Sequence, residues 1–320
     1  MNTKIVYTVV GGEKDYYLPQ AMVAVYTARK NNPEAEILLV VDQDTNDVIE
    51  KELNNIRNYL NKVIVVTTPS NMPKMHRSRF LKTSLRQNIE GDFLYIDTDT
   101  VVCEDLSEID SVDADIAAVL DRHYLISEHP LIGGIEQNIS SVGLTIDDLR
   151  DKYFNGGVML VRDTPISHRL FKSWHHNWDK SRQNSRGIDQ PPLALANKQC
   201  GYPIKELDGV WNCQLCDNFI NYLFEAKVLH YFASNGRSPY LLSRNETFNE
   251  LMCLGDIPDW LKVKLEAPKC YFTDKHILAF DEDVHFLRTN IHTMYIYHRW
   301  LFNILEFISK TLIKISKINK

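Results

Sequence analysis

The chain lacks a glycine-rich phosphate loop. Neither Gly-x-Gly-x-x-Gly nor a P-loop pattern follows the first apolar run, where Gly11-Gly12 after Val10 is only a flexible turn. This argues against a dinucleotide oxidoreductase and against a P-loop kinase. Between residues 1 and 250 there is no Pro/Gly/Ser-rich tract, no repeat and no low-complexity segment, so no linker divides that stretch. No run of about 18 uncharged apolar residues is present, which speaks against a membrane-spanning helix. A secretory leader needs a longer apolar stretch and a small-residue cleavage site, which Met-Asn-Thr-Lys followed by Ile5-Val6-Tyr7-Thr8-Val9-Val10 does not offer. That segment reads as a first strand, and the expected location is the cytosol. The six cysteines are then thiols, not a disulfide frame. Cys213-Gln214-Leu215-Cys216 has metal-site spacing, but no second pair matches it, and two ordinary thiols are the better reading.

What is there is an ordinary globular composition. The 320 residues are 44% hydrophobic and 24% charged, enough for one large α/β domain with additions or for two domains. The net charge of −6 is uneven. Residues 286–320 hold Arg288, Arg299, Lys310, Lys314, Lys317 and Lys320 against Glu306 alone, a local +5 that leaves −11 on the remainder. An acidic body argues against nucleic acid as a partner, and a basic tail suits an anionic surface.

Strand-like and helix-like segments alternate along the first half. Apolar runs at residues 4–10, 37–41, 63–66 and 93–96 read as strands, and helical spacing covers about 18–30, 46–60 and 80–88. Short continuous apolar strands separated by helices imply a mostly parallel sheet covered on both faces, with ligands at the carboxyl ends of the strands. Ile116–Leu120 followed by Asp121, and Gly157–Val161 entered through Phe154-Asn155-Gly156, read as further core strands.

Asp97-Thr98-Asp99 directly follows the strand Phe93–Ile96. An isolated Asp-x-Asp is commonly a solvated turn. At the end of a buried strand, two carboxylates repel in a low-dielectric setting, and a hard divalent cation is the natural compensator. His230, in Val228–Phe232, is either a satisfied core histidine or a third ligand that shifts the preference from Mg²⁺ towards Mn²⁺. The polar loop Ala233–Tyr240 after it is either plain surface or a cover for phosphates with Arg237 as a clamp.

In order and spacing these segments resemble glycosyltransferase family 8 and its relatives with the GT-A (nucleotide-diphospho-sugar transferase) fold, which include bacterial lipooligosaccharide galactosyltransferases and glycogenin. The resemblance rests on Pro33–Ile37 after the first helix, Arg79–Lys82, Phe93–Val102 with its Asp97-Thr98-Asp99, Tyr153–Leu160, Ile188-Asp189-Gln190, and His230 with its glycine-containing loop. It covers roughly residues 4–240. It implies a GT-A catalytic domain over residues 1–250, an α/β fold with a mostly parallel central sheet flanked by helices. An irregular connecting segment would follow at 251–284 and a basic amphipathic helix at 285–320. Asp97, Asp99 and His230 would hold Mn²⁺, or Mg²⁺, on the diphosphate of a nucleotide sugar. Arg79 and Lys82 would meet phosphate or sugar, and Thr8 and Thr98 would line the donor site. Asp121 would hold sugar hydroxyls, and Asn155, Gly156 and Gly157 would wall the sugar. Asp189 and Gln190 would lie beneath the anomeric carbon, and Gly236 and Arg237 would cover the diphosphate. Two departures stand out. Val10-Gly11-Gly12 replaces the Asp or Asn that often contacts uracil. The closing segment carries Arg237 and Tyr240 where Lys and Trp are usual.

The implied activity is metal-dependent, retaining transfer of a hexose from a UDP-sugar to a glycan or lipid-linked acceptor in bacterial surface polysaccharide synthesis. Front-side attack is favoured, with the leaving phosphate oxygen taking the acceptor proton. The alternatives are an inverting transferase with Asp189 as base, a sugar nucleotidyltransferase, and a silent membrane-associated scaffold. In the tail, Trp300, Leu301, Ile304, Leu305, Ile308, Leu312 and Ile315 follow helical spacing, opposite Glu306, Lys310, Lys314 and Lys317. This pattern suits a helix lying in the anionic inner face of the cell membrane, or one packed on the body or on a second copy.

Overall fold

A computed structural model of the protein describes residues 1–12, 15–183, 187–216, 219–232, 245–271, 291, 294–295 and 297–318. The chain opens as an alternation. Strand β1 (Lys4–Val9) leads to helix α1 (Tyr17–Asn31), β2 (Ile37–Val41) to α2 (Gln43–Glu52), and β3 (Lys62–Val65) to α3 (Lys74–Thr83) and the short α4 (Leu85–Asn88). Strands β4 (Phe93–Ile96), β5 (Thr100–Val102) and β6 (Ile116–Leu120) follow. Helix α5 (Ile132–Ser140) precedes β7 (Phe154–Val161), and then come α6 (Pro165–Ser181) and α7 (Gln190–Gln199). Strands β8 (Ile204–Glu206), β9 (Cys213–Gln214) and β10 (Val228–His230) complete the sheets.

Seven strands form the main sheet in the order β3-β2-β1-β4-β7-β6-β8. All neighbours run parallel except at β7, which is antiparallel to both β4 and β6. Side-chain alternation along β1 explains the two cores. Ile5, Tyr7 and Val9 pack with Ala21, Met22 and Val25 of α1 on one face. Val6 and Val10 pack with Phe171 and Trp174 of α6 on the other. Both faces are therefore covered, as the continuous apolar strands require.

The helices start and stop for local reasons. Asp42 accepts from the Thr45 amide at 2.9 Å, so α2 begins earlier than its apolar spacing suggests. It ends at Glu52, and a 3₁₀ turn over Asn54–Tyr59 replaces its expected last part. Thr164 and Ser167 form a capping box around Pro165 at the start of α6. The helix expected over 80–88 is really two. Thr83 Oγ1 donates to the Arg79 carbonyl at 2.8 Å and Ser84 Oγ to that of Phe80 at 2.7 Å, and the helix breaks at Ser84.

Two features of this topology place the site. The reversal of β7 brings its first residues to the edge where β4 and β6 end. The Asp97 amide donates to the Gly157 carbonyl and the Asp121 amide to the Tyr153 carbonyl, each at 2.7 Å. A second sheet, ordered β5-β10-β9, pairs His230 with Thr100 and so carries it to the turn between β4 and β5. At the C-terminus, helix Arg299–Ile318 buries Phe302 but leaves Trp300, Ile304, Phe307, Ile308 and Leu312 open to solvent. Among the described residues, no helix is long and apolar enough to cross a membrane.

Candidate active site

Asp97 and Asp99 lie on the turn between β4 and β5, with Thr98 half-buried between them. The turn is tied at both ends. Thr100 Oγ1 donates to the Asp97 carbonyl at 2.7 Å, and the Tyr231 amide donates to the Asp99 carbonyl at 3.1 Å. His230 Nε2 then stands 3.2 Å from Asp99 Oδ1. One ligand atom each from Asp97, Asp99 and His230 lies within 4.8 Å of the others. Two carboxylates and an imidazole could hold a divalent metal ion. Burial works against the Asp99 carboxylate, yet the adjacent His230 ring holds its pKa below the ordinary value.

One wing of the site is ionic. Lys82 Nζ lies 3.1 Å from Asp97 Oδ1 and 3.4 Å from Asp189 Oδ2. Arg79 Nε lies 3.5 Å from Asp189 Oδ1. Burial disfavours the Lys82 ammonium, but Asp97 and Asp189 outweigh it and its pKa rises. Burial likewise disfavours the Asp189 carboxylate, and Lys82 and Arg79 pull its pKa down nonetheless. Asp189 sits at the N-cap position of α7 but makes no capping bond with its side chain. Its main chain is pinned instead, through Trp174 Nε1 donating to its carbonyl at 2.8 Å. The carboxylate is thereby left for the two cations, and a capping role does not explain it. Tyr95 OH donates to Asp97 Oδ1, and Thr8 Oγ1 lies 3.2 Å behind that hydroxyl. Thr8 is buried and reaches the site through Tyr95.

The other wing is a chain of neutral groups. Asn155 Nδ2 donates to Asp121 Oδ1 at 3.1 Å, and Asn155 Oδ1 accepts from the Gly157 amide at 2.8 Å. Asn212 Nδ2 donates to the same Asn155 Oδ1 at 3.0 Å, and Asn212 Oδ1 lies 3.0 Å from His230 Nδ1. Behind Asp121, His129 Nε2 stands 3.3 Å from Oδ2 while its Nδ1 accepts from the Leu131 amide at 3.1 Å. Burial raises the cost of charge on Asp121, but bonds from His129, Asn155 and Gln190 keep its pKa below the ordinary value. Gln190 Nε2 also donates to the Phe154 carbonyl at 3.0 Å.

Two glycines from the same strand do different things. A Cβ on Gly157 would meet His230 Cε1 at 2.4 Å, so its missing side chain makes room for the imidazole. A Cβ on Gly156 would meet nothing nearer than Lys82 Nζ at 3.5 Å, an ordinary contact, so packing does not demand glycine there. Beyond Asp121 the backbone is strained. Arg122 and His123 both adopt left-handed conformations, at φ 52° and 64°. Buried Gln214 holds them, its Oε1 accepting from the Arg122 amide at 2.9 Å and its backbone N–H donating to His123 Nε2 at 3.1 Å. Desolvation pushes His123 down to about 4, which keeps that nitrogen an acceptor.

The structure thus gathers Asp97, Thr98, Asp99, Lys82, Arg79, Asp189, Gln190, Asp121, Asn155, Gly156, Gly157 and His230 at one edge of the sheet, with Thr8 behind them. Gly236, Arg237 and the rest of the loop through Tyr240 lie outside the described residues. Sequence reasoning missed Tyr95, Asn212 and His129. Tyr95 carried a signal, since it sits two residues before Asp97 on the same face of β4. The two others carried none that a single sequence shows.

The family model of glycosyl transferase family 8 matches residues 8–237 of the chain. Among solved structures, the chain is similar to the galactosyltransferase LgtC in complex with donor and acceptor sugar analogues. It is 18% identical, with 82% of this chain and 100% of that one covered at a TM-score of 0.52. An active-site mutant of LgtC matches at 17% identity, with the same coverage and a TM-score of 0.53. The apo form of the bifunctional glycosyltransferase WbbM matches at 14% identity over 83% of this chain and 52% of that one, with a TM-score of 0.51. At such identities these likenesses speak to the fold, which is that of the GT-A transferases. No curated protein matches.

Proposed function

The chain belongs to glycosyl transferase family 8 and is a glycosyltransferase, and on that premise we propose that it moves a hexose, with retention, from a UDP-sugar to a glycan or lipid-linked acceptor, using Mn²⁺ held by Asp97, Asp99 and His230. The observation that carries this reading is the convergence of those three side chains within 4.8 Å at the carboxyl edge of the sheet. Charge supports it. Four carboxylates (Asp97, Asp99, Asp121 and Asp189) meet two full cations, Lys82 and Arg79, and two imidazoles, His129 and His230, in the cluster among the described residues. A divalent cation balances that excess.

Bound Mn²⁺ supplies positive charge to a diphosphate leaving group. Every other part belongs to the chain. Lys82 and Arg79 lie where they can exchange a carboxylate partner for phosphate oxygens, which gain charge as the sugar departs. Asp121, fixed and ionised by three hydrogen-bond donors, suits the hydroxyls of the donor sugar. Gly156 leaves space beside it. Asp189, held ionised between two cations, stabilises an oxocarbenium-like centre electrostatically. Those same cations make it a weak general base and a weak nucleophile. This favours front-side attack, with the departing phosphate oxygen taking the acceptor proton, over an inverting mechanism. The exposed apolar side of Arg299–Ile318, with Lys310 on the same helix, supports peripheral attachment to an anionic inner membrane face, where surface polysaccharide precursors are assembled on lipid.

Isothermal titration of UDP- and other nucleotide sugars, with Mn²⁺ and with EDTA, tests the donor reading on wild type and Asp99→Ala. Metal-dependent binding of a UDP-sugar by wild type alone is the expected result. Binding that is indifferent to EDTA, or absent for every nucleotide sugar, overturns it. For the membrane, a chain ending at residue 284 should lose flotation with anionic liposomes, and equal flotation of both forms removes the claim.

A further inference from the structure

His230 has two nitrogens, and only one of them faces the carboxylates. Nε2 points to Asp99 and Nδ1 to Asn212. An imidazole can ligate a cation through Nε2 only if the proton resides on Nδ1. Something must therefore fix the tautomer.

The amide chain fixes it from its far end. The Gly157 backbone N–H can only donate, so the atom of Asn155 at 2.8 Å from it is the oxygen. The amino group of Asn155 then faces Asp121, an ionised acceptor, which is the correct pairing. With Asn155 oriented, Asn212 must offer its own amino group to Asn155 Oδ1. That leaves Asn212 Oδ1 facing the ring, and an oxygen acceptor there demands Nδ1–H. Each orientation is forced by the previous one, and both ends, a backbone amide and a carboxylate, are fixed. The side chain of Asn212 is fully buried, so no solvent competes for these bonds. Gly157 contributes a second time, because any side chain there would overlap His230 and displace the ring.

We propose that Asn212 is a positioning residue that holds His230 in the Nδ1–H tautomer and so presents Nε2 to the cation. The proposal rests on the metal-dependent reading above. Its partner Asn155 is shared with Asp121, so one rigid chain holds both the metal-side histidine and the carboxylate assigned to the sugar. Supporting bonds of this kind behind a ligating histidine matter about 10–100-fold in metal affinity.

The test has two readouts. In metal-free wild type, ¹H–¹⁵N spectra of the imidazole should show His230 protonated at Nδ1. In Asn212→Leu, which keeps the volume and removes the acceptor, the proton should move to Nε2, and the Kd for Mn²⁺ measured by titration should rise about 10–100-fold. Asn212→Asp keeps an acceptor towards Nδ1 and should restore both the tautomer and Mn²⁺ binding. A purely structural role would lower the melting temperature of both variants and leave the tautomer alone. A metal-free wild type with no proton on Nδ1 overturns the proposal and leaves the metal reading standing. So does an Asn212→Leu protein that binds Mn²⁺ as wild type does. A wild type with the Nδ1–H tautomer that takes up no Mn²⁺ overturns the metal reading and the proposal with it.

Discussion

The two wings of the site are built from opposite materials. The wing of Arg79, Lys82, Asp97 and Asp189 is fully charged, and its contacts run from 3.1 to 3.5 Å with shared partners. The wing of His230, Asn212, Asn155 and His129 around Asp121 is nearly neutral, and every group there has one donor and one acceptor direction. Coulomb attraction has little directional preference, so the charged wing can trade a carboxylate for a phosphate without rebuilding. Amide bonds are directional, so the neutral wing cannot turn one group without orphaning the next. The first wing is suited to change partners during a reaction and the second to stay still.

Experiments can break this contrast. The largest effect belongs to the ligand that joins both wings. Asp99→Ala should remove Mn²⁺-dependent nucleotide-sugar binding and lower kcat by about 10³-fold, as loss of a main stabiliser of developing charge does. Steady-state rates with saturating Mn²⁺ check this, and activity within tenfold of wild type would show that Asp99 is not a ligand. Next is Lys82→Met. It leaves the half-buried Asp97 and Asp189 without their shared cation, at a cost of about 1–3 kcal/mol in urea unfolding, less than for a fully buried pair. A loss under about 1 kcal/mol would mean that Arg79 re-pairs both, and that the charged wing exchanges partners more freely still.

A pair of alanines sharpens the neutral side. Gly157→Ala forces a Cβ to within 2.4 Å of His230 and should cost about 1–3 kcal/mol while weakening Mn²⁺ binding. Gly156→Ala meets only ordinary contacts. It should leave the melting temperature nearly unchanged and raise KM for the donor. Equal melting temperatures for the two variants would erase the distinction between them.

The smallest effect is that of acid. Asp121 and Asp189 both titrate below the ordinary carboxylate value of 3.8. The stability they contribute is therefore complete above that value and is lost as pH falls through their lower folded values. Melting temperature should stay level from neutral pH towards about 5 as far as these groups are concerned, and then drop below 3.8. Asp189→Asn should blunt the drop. An unchanged acid profile in that variant would separate Asp189 from the ion pairs assigned to it.

Much of this was legible in the sequence. Continuous apolar strands between helices gave the layered α/β fold, because burial on both faces leaves no room for alternation. The strand ends named Asp97, Asp99 and Asp121, since a carboxylate directly after a core strand needs a reason, whereas Asp189, at the start of α7, came only from the family resemblance. The reversal of β7 was not legible. Its run Gly157–Val161 is as apolar as a parallel strand, and direction leaves no mark on composition. The break at Ser84 was hidden because a serine can cap, bend or simply face solvent, and only its bond to Phe80 decides. That Gly157, expected beside the donor sugar, also makes room for His230 was not legible, because the two are far apart in sequence.

By itself the sequence determined which segments become strands and which charged groups stand at their ends, because periodicity and burial act over neighbouring residues. Only the tertiary structure decided the partners. Asn155 meets Asp121 across 34 residues and Asn212 across 57. These pairs exist because β7 runs backwards between β4 and β6, and because β10 joins β5 beside it. A hydrogen bond requires two groups within about 3 Å and suitably aligned. Strand order sets that proximity, which no local pattern encodes.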